Sequence, residues 1–307
     1  MTTVAAQAEK GPLGQKIDAP EVYNPEVLFA VARERGRQLL GLEKDMLNHL
    51  PFEGDDVWNA YECSWLNVNG VPRRATLELR IPCTSPCIVE SKSLKLYLNS
   101  LNFKRFASTA ELLDTIKADV GKIVGAPLSA SLRNIGPDGE PALFDSATWS
   151  CVDDEDVGDL PPEVLDAPNA GHLTLLERQQ PGATGGKGAA ATSIVTEHLV
   201  THLLRTRCPV TGQPDWGSVL VEYRGAPIAR AGFLRYIVSL RREVGFHENA
   251  IERITLDLIR RCSPENLRVT GRFLRRGGID INPVRIAGEN TDGVLGPTAS
   301  QLRVPGQ

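Results

Sequence analysis

Apolar and polar residues alternate along residues 74–81, 93–98 and 218–223, the mark of half-buried strands, so the pattern predicts sheet in both halves of the chain. Residues 108–120 and 248–260 carry apolar side chains at helical spacing instead, which predicts an amphipathic helix in each half. Each half thus reads as hairpins with helices laid on one face, an α+β layer arrangement. The segment from Glu197 to His202 reads as a partly exposed helix, with His198 and His202 four apart on one side. Its glutamate precedes the first histidine instead of following it, which departs from the zinc-peptidase pattern.

Setting residue n against residue n+140 aligns Leu94 with Leu234, Lys95 with Arg235, Phe106 with Phe246, Ala110 with Ala250 and Thr115 with Thr255. Such matches describe one unit copied once, not a solenoid. In that register Ala107-Ser108 stands against His247-Glu248, and Glu90-Ser91-Lys92 against Arg230-Ala231-Gly232, so the copies differ in chemistry. Residues 178–192 are rich in glycine and small side chains and lack apolar periodicity. They are expected to be a linker or surface loop between a first unit, residues 1–177, and a second, residues 193–307. Lys187 within them does not complete a phosphate loop, because Gly188 occupies the place of the required Ser or Thr. The acidic stretch 151–162, with Asp153, Asp154, Glu155, Asp156 and Asp159 ahead of Pro161-Pro162, reads as a solvated connection and not as a metal site.

Composition narrows the class. A chain of 307 residues with 41% hydrophobic and 23% charged content is expected to be soluble and globular, with room for two ordinary domains. Its formal net charge of −4 and pI near 5.8 speak against gripping nucleic acid through the overall field. Neither a secretory leader pattern nor an apolar run of about 18 residues is seen, so the expected compartment is the cytosol, away from membranes. Cys63, Cys83, Cys87, Cys151, Cys208 and Cys262 are scattered, which suits reduced thiols. Cys83 and Cys87 lack the second close pair that a structural zinc would need, and buried thiols are the simpler reading.

Candidate chemistry centres on Cys208-Pro209-Val210-Thr211-Gly212-Gln213-Pro214-Asp215-Trp216. A thiol nucleophile needs a proton manager, and Asp215 lies seven residues on in a turn-rich segment. Arg205 and Arg207 favour the thiolate if their guanidinium groups point inward, whereas an ionised Asp215 opposes it unless it takes up the thiol proton. His247 and Glu248 fall at the entrance of the second predicted helix, where the helix dipole favours an acid. From these residues alone a hydrolase, a redox switch and no chemistry at all stay open.

Four motifs together resemble a known family: Glu90-Ser91-Lys92-Ser93-Leu94-Lys95, Cys208 with Asp215-Trp216, Phe246-His247-Glu248, and Arg275-Arg276-Gly277-Gly278-Ile279-Asp280-Ile281-Asn282-Pro283. The chain resembles the NADPH-dependent 7-cyano-7-deazaguanine reductases in their long, two-unit form, over about residues 23–285. The resemblance implies tandem tunnelling-fold units and a homodimer joined through sheet edges. It also implies reduction of the nitrile preQ0 to the aminomethyl compound preQ1 with two NADPH, a step of queuosine tRNA modification. By the same resemblance Cys208 is the nucleophile that forms a thioimide and Asp215 the acid. Val89, Glu90, Ser91, His247 and Glu248 would hold the substrate, and Ser91, Lys92, Arg276 and Gly277 the NADPH. A metal, a flavin and direct nucleic-acid contact are not expected. No GxGxxG follows a strand, so a Rossmann unit is not supported and cations with a close-approach glycine must serve the cofactor's phosphates. The rival readings are a cyclohydrolase or pterin-type enzyme of the same fold group, a thiol enzyme that hydrates nitriles, and a non-catalytic module binding a purine or tRNA.

Overall fold

The computed structural model describes residues 19–133, 148–176 and 193–289, so the glycine-rich stretch at 178–192 lies outside the described residues. A short strand β1 (Ala30–Ala32) leads into helix α1 (Arg33–Gln38) and then into a long hairpin, β2 (Asp55–Leu66) with β3 (Pro72–Pro82). After β4 (Cys87–Val89), which pairs with β1, come α2 (Ser91–Ser100), α3 (Thr109–Val124) and β5 (Ser129–Arg133). Past β6 (Ser150–Cys151) the order repeats as hairpin β7 (Val195–Arg207) and β8 (Pro214–Gly225), helices α4 (Arg230–Ser239) and α5 (His247–Cys262), then β9 (Asn266–Phe273) and β10 (Ile279–Gly288).

Two of the expected elements take the other form. Residues 93–98 belong to helix α2, although six residues of alternation suggested a strand. The longer window explains why: Leu94, Tyr97, Leu98 and Leu101 fall at helical spacing and are all buried, and Glu90 caps the helix by accepting from the backbone of Lys92 and Ser93. Conversely, Glu197 to His202 lies in strand β7, which pairs with β8 along its length. The spacing of the two histidines mimicked a helix, but Val195, Thr196, Val200, Thr201 and Thr206 are β-branched, and partner pairing across the sheet decides such ambiguous runs.

The duplication is real in structure, with a different register. Ser91 of α2 corresponds to Arg230 of α4 and Thr109 of α3 to His247 of α5, offsets of 139 and 138 instead of 140. Small buried devices recur with it. Tyr97 donates to Asp119 at 2.6 Å as Tyr236 donates to Asp257 at 2.7 Å. Ser100 and Ser239 each accept from an asparagine backbone amide, of Asn24 and Asn169, at 3.1 Å. In this register Thr109-Ala110 stands against His247-Glu248, and Ala229 against Glu90. The turn at Asn169, with Val152 and Leu173, packs on the second core, so residues 150–173 go with the second unit in space although they precede the glycine-rich stretch.

Both copies share one sheet, ordered β5-β3-β2-β10-β9-β8-β7-β6 among the described residues and antiparallel except for β6 with β7. Strand β10 makes the join, because Ile279–Pro283 pair with β2 and Val284–Gly288 with β9. The side chains alternate, with breaks in register between Ala60 and Cys63 and between Thr201 and Leu204. Leu77, Leu79, Val219, Val221, Leu267 and Val269 face the helices and form the apolar cores, while Asn59, Asp280, Asn282, Glu222 and Arg268 occupy the other face and are also buried.

The two copies are further locked by a buried ionic network. Arg37 on α1 donates to Glu252 on α5 at 2.7 Å and to the Cys83 carbonyl at 2.6 Å. Arg285 on β10 bridges Asp56 at 2.8 Å and Glu252 at 3.0 Å, and Arg33 reaches Asp56 at 2.5 Å. Burial works to raise the Asp56 and Glu252 carboxyls, but Arg285 and its neighbours outweigh it and hold both below the usual carboxylate range. Removing one partner strands a buried charge. Arg37→Ala is therefore expected to lower stability by about 3–5 kcal/mol in denaturant unfolding, against under about 1 kcal/mol for the exposed pair partner Asp114→Ala.

Candidate active site

Strand β7 ends at Arg207, and the chain turns tightly through residues 208–213 before β8 begins. The Cys208 amide donates to the Gln213 carbonyl at 2.9 Å, and the Gly212 amide donates back to the Cys208 carbonyl at 3.0 Å. This fixes the thiol at a hairpin tip, with Asp215 buried just inside β8. Both line a cleft of about 280 Å³ that lies between the two copies. Its other walls include His247 and Glu248 at the start of α5, Val89, Ser91, Lys92 and Lys95 around α2, and Arg276 and Gly277 from the β9–β10 turn. Trp58, Ile88, Phe246, Leu274, Ile279 and Ile281 supply its apolar surface.

Charge in the cleft gathers on one carboxylate. Asp215 Oδ1 lies 3.0 Å from the Arg276 guanidinium and 3.5 Å from His247 Nε2. Arg276 also donates to the Pro214 carbonyl, which holds the β9–β10 turn over the start of β8. The imidazole of His247 is stacked flat on Phe273, with ring centroids 3.9 Å apart and planes within 5°. Two polar atoms beside it, His247 Nδ1 and Glu248 Oε1, are buried without a hydrogen-bond partner among the described residues. Burial, and then the negative charge of Asp56, push the Glu248 carboxyl up to about 7, against the opposing pull of Arg33 and His247.

On the opposite wall Glu90 behaves differently. Its two oxygens accept from Lys92 N at 2.7 Å and Ser93 N at 2.8 Å, so the carboxylate caps α2 and is not itself part of the cleft lining. Burial raises its carboxyl, and those two backbone donors pull it back. The cap sets Ser91 and Lys92 on the cleft wall. Across from them Gly277 and Gly278 have φ of +58° and +79°, a left-handed turn that side chains resist. A Cβ on Gly277 would press on Lys95 at 3.1 Å, so glycine there lets the turn close on the lysine. Lys92, Lys95 and Arg276 together give an anion such as a cofactor phosphate three cations to meet.

Some expected participants stand elsewhere. Arg205 lies over the Trp216 ring and donates to the Arg241 carbonyl, and Arg207 reaches the Gly212 carbonyl at 3.5 Å; neither lines the cleft. Among the described residues, the metal-ligating side chains that come together are Cys151, Asp153 and His202, within 4.8 Å of one another and outside the cleft. They meet because residues 195–207 are a strand beside β6. The sequence reading missed Trp58 and Lys95 on the cleft wall and Phe273 behind His247. Lys95 stood in a quoted motif, whereas Trp58 and Phe273 look like ordinary strand core residues, and only the cleft and the stacked imidazole reveal them.

Comparison with known proteins gives the family. Residues 19–132 match the family described as nitrile reductase, 7-cyano-7-deazaguanine-reductase N-term, and residues 214–292 match the family described as QueF-like protein. A protein of Desulfotalea psychrophila named NADPH-dependent 7-cyano-7-deazaguanine reductase is 46% identical over 281 residues, covering 89% of this chain and 91% of that one. Proteins of the same name from Bordetella avium and Azoarcus sp. are each 43% identical, covering 89% and 91% of this chain and 92% and 91% of theirs. This chain belongs to the 7-cyano-7-deazaguanine reductase family. Within this reductase, Val89 to Lys95 fall in the first matched region and Asp215, His247, Glu248 and Arg276 in the second, while Cys208 lies between the two.

The raised Glu248 carboxyl has a measurable consequence. A carboxyl lifted from 4.5 to about 7 favours the folded state while protonated, and that contribution is lost as pH rises from about 4.5 through 7. Glu248→Gln is expected to abolish this slope. Its stability relative to wild type should rise between pH 5 and pH 8 by a few kcal/mol at most, read from denaturant midpoints across that range.

Proposed function

We propose that this chain reduces the nitrile of 7-cyano-7-deazaguanine to an aminomethyl group, consuming two NADPH, through a covalent thioimide on Cys208, in the route to queuosine in tRNA. The observation that carries the reading is the convergence of Cys208, Asp215, His247 and Glu248 on one cleft, with Lys92, Lys95 and Arg276 on its walls. A nitrile carbon is electrophilic, and a thiolate is the strongest common side-chain nucleophile for it. Attack forms a C–S bond while the thiol proton passes by way of Asp215 to the nitrile nitrogen, giving the thioimide with atoms conserved.

Bound NADPH supplies one hydride to each of two reductions. After the first, the tetrahedral carbon expels the Cys208 thiolate and leaves an imine. The second reduction converts the imine to the amine, and each consumes one proton. His247, 3.5 Å from Asp215 and held flat by Phe273, is placed to hand a proton on during the second. Glu248 turns a carboxyl toward ring N–H donors of the base. Glu90, through its cap, orders Ser91 and Lys92 and acts on the substrate as a positioning group. The cofactor's phosphates fit the three cations and the glycine turn.

The proposal extends to a homodimer formed at sheet edges, where β5 and β6 stand outermost among the described strands, and to a cytosolic setting. No described helix is long and apolar enough to cross a membrane.

Incubation with preQ0 is expected to add the mass of one nitrile to the intact protein, and Cys208→Ala to abolish the adduct. Asp215→Asn should slow NADPH oxidation by roughly 10²–10⁴-fold while the fold persists. Adduct-free protein that oxidises no NADPH would sink the proposal; zinc in the purified protein would favour a cyclohydrolase, and purine binding untouched by Cys208→Ala a binding module. An isolated second half, residues 193–307, should be inactive, because the Ser91 to Lys95 wall and the β2 partner of β10 would be missing.

A further inference from the structure

Beyond the groups already discussed, one polar atom on the cleft wall is unexplained. Trp58 lines the cleft, is 2% exposed, and its indole Nε1–H has no hydrogen-bond partner among the described residues. A buried N–H without an acceptor is costly, and native folds keep such a group for a reason. Trp58 sits on β2 two residues beyond Asp56, hence on the same face, and pairs across the sheet with Ile281, another cleft residue. Asp56 in turn lies close enough to Glu248 for their charges to act on one another. Trp58 and Glu248 thus both line the cleft, and each keeps a buried polar atom without a hydrogen-bond partner among the described residues, a donor on Trp58 and an acceptor on Glu248.

We propose that Trp58 is a specificity-determining residue whose indole N–H donates to the ring carbonyl of the substrate, while Glu248 accepts from the ring N–H next to it. This rests on the nitrile-reductase reading above and adds to it which edge of the base is read. A lactam presents an acceptor beside a donor, the complement of the pair in the cleft. An otherwise identical nitrile with an amino group in place of that carbonyl sets donor against donor in a buried place. Sites built on paired polar groups reject such analogues far more strongly than apolar pockets do, because rejection leaves buried groups unpaired.

Trp58→Phe keeps an aromatic ring, smaller than the buried indole, and removes the donor. With preQ0 the variant is expected to show a KM raised roughly five- to tenfold and a kcat changed by less than about twofold, with a melting temperature lowered by the smaller core side chain. Wild type should prefer preQ0 over 7-cyano-7-deaza-2,6-diaminopurine by at least about a hundredfold, and the variant should narrow that ratio by about tenfold or more. Where the variant is unstable, Cys208→Ala protein labelled with ¹⁵N at its four tryptophan indoles gives an independent reading. The Trp58 indole resonance, assigned by replacing Trp65, Trp149 and Trp216 in turn, should move downfield with preQ0 and stay in place with the amino analogue. An active wild type with an unmoved Trp58 resonance, or a Trp58→Phe variant with unchanged KM and selectivity, overturns the role of Trp58 alone. A wild type that neither forms an adduct with preQ0 nor oxidises NADPH overturns the underlying reading instead.

Discussion

Three arginines and two acids buried between α1, β2, α5 and β10 hold the molecule in the form that its chemistry uses. Arg33, Arg37 and Arg285 meet Asp56 and Glu252 with every member at most 5% exposed. Charges taken so far from water are tolerated only when paired and hydrogen-bonded, so each geometry constrains the others. Glu252 is reached by arginines from α1 and from β10, and Asp56 by arginines from the same two elements. The first copy is thereby pinned to the start of the helix that carries His247 and Glu248. The cleft between the copies exists because this network fixes how close they come.

The same network shapes the acid–base character of the cleft. Asp56 stays ionised under its two arginines, and its charge then weighs on the neighbouring Glu248, which burial has already pushed toward the neutral form. Asp215 draws on Arg276 and His247 instead. Two carboxyls within one cleft thus live in unlike surroundings, one beside cations and one beside an anion. That difference suits the separate tasks proposed for them, proton handling for Asp215 and recognition of a base for Glu248.

Duplication supplied the framework and divergence the chemistry. The Tyr97–Asp119 and Tyr236–Asp257 bonds and the serine–asparagine contacts survive in both copies because each fixes the same helix to the same core. The lining of the cleft is complete in neither copy alone. The second provides the thiol hairpin and the His247-Glu248 helix start, the first a helix start whose cap, Glu90, has no counterpart in Ala229. Sharing β10 between β2 and β9 turns the two surfaces toward each other.

The sequence by itself determined the α+β class, the two amphipathic helices α3 and α5, the repeat, and the identity of the motif residues, since these depend on local periodicity and on side-chain types that chemistry requires. It misjudged 93–98 and 197–202, where a short window fits two periods and only a capped buried face or a pairing partner breaks the tie. It placed the repeat within two residues, because insertions at turns shift the register without changing the fold. Only the tertiary structure decided that Glu90 caps a helix, that Arg205 and Arg207 stay off the cleft wall, that Trp58 and Lys95 border the cleft, and that Phe273 backs His247. Trp58 and Lys95 reach the cleft because residues more than a hundred positions apart meet across a shared sheet, and no pattern of neighbours along the chain encodes such distances.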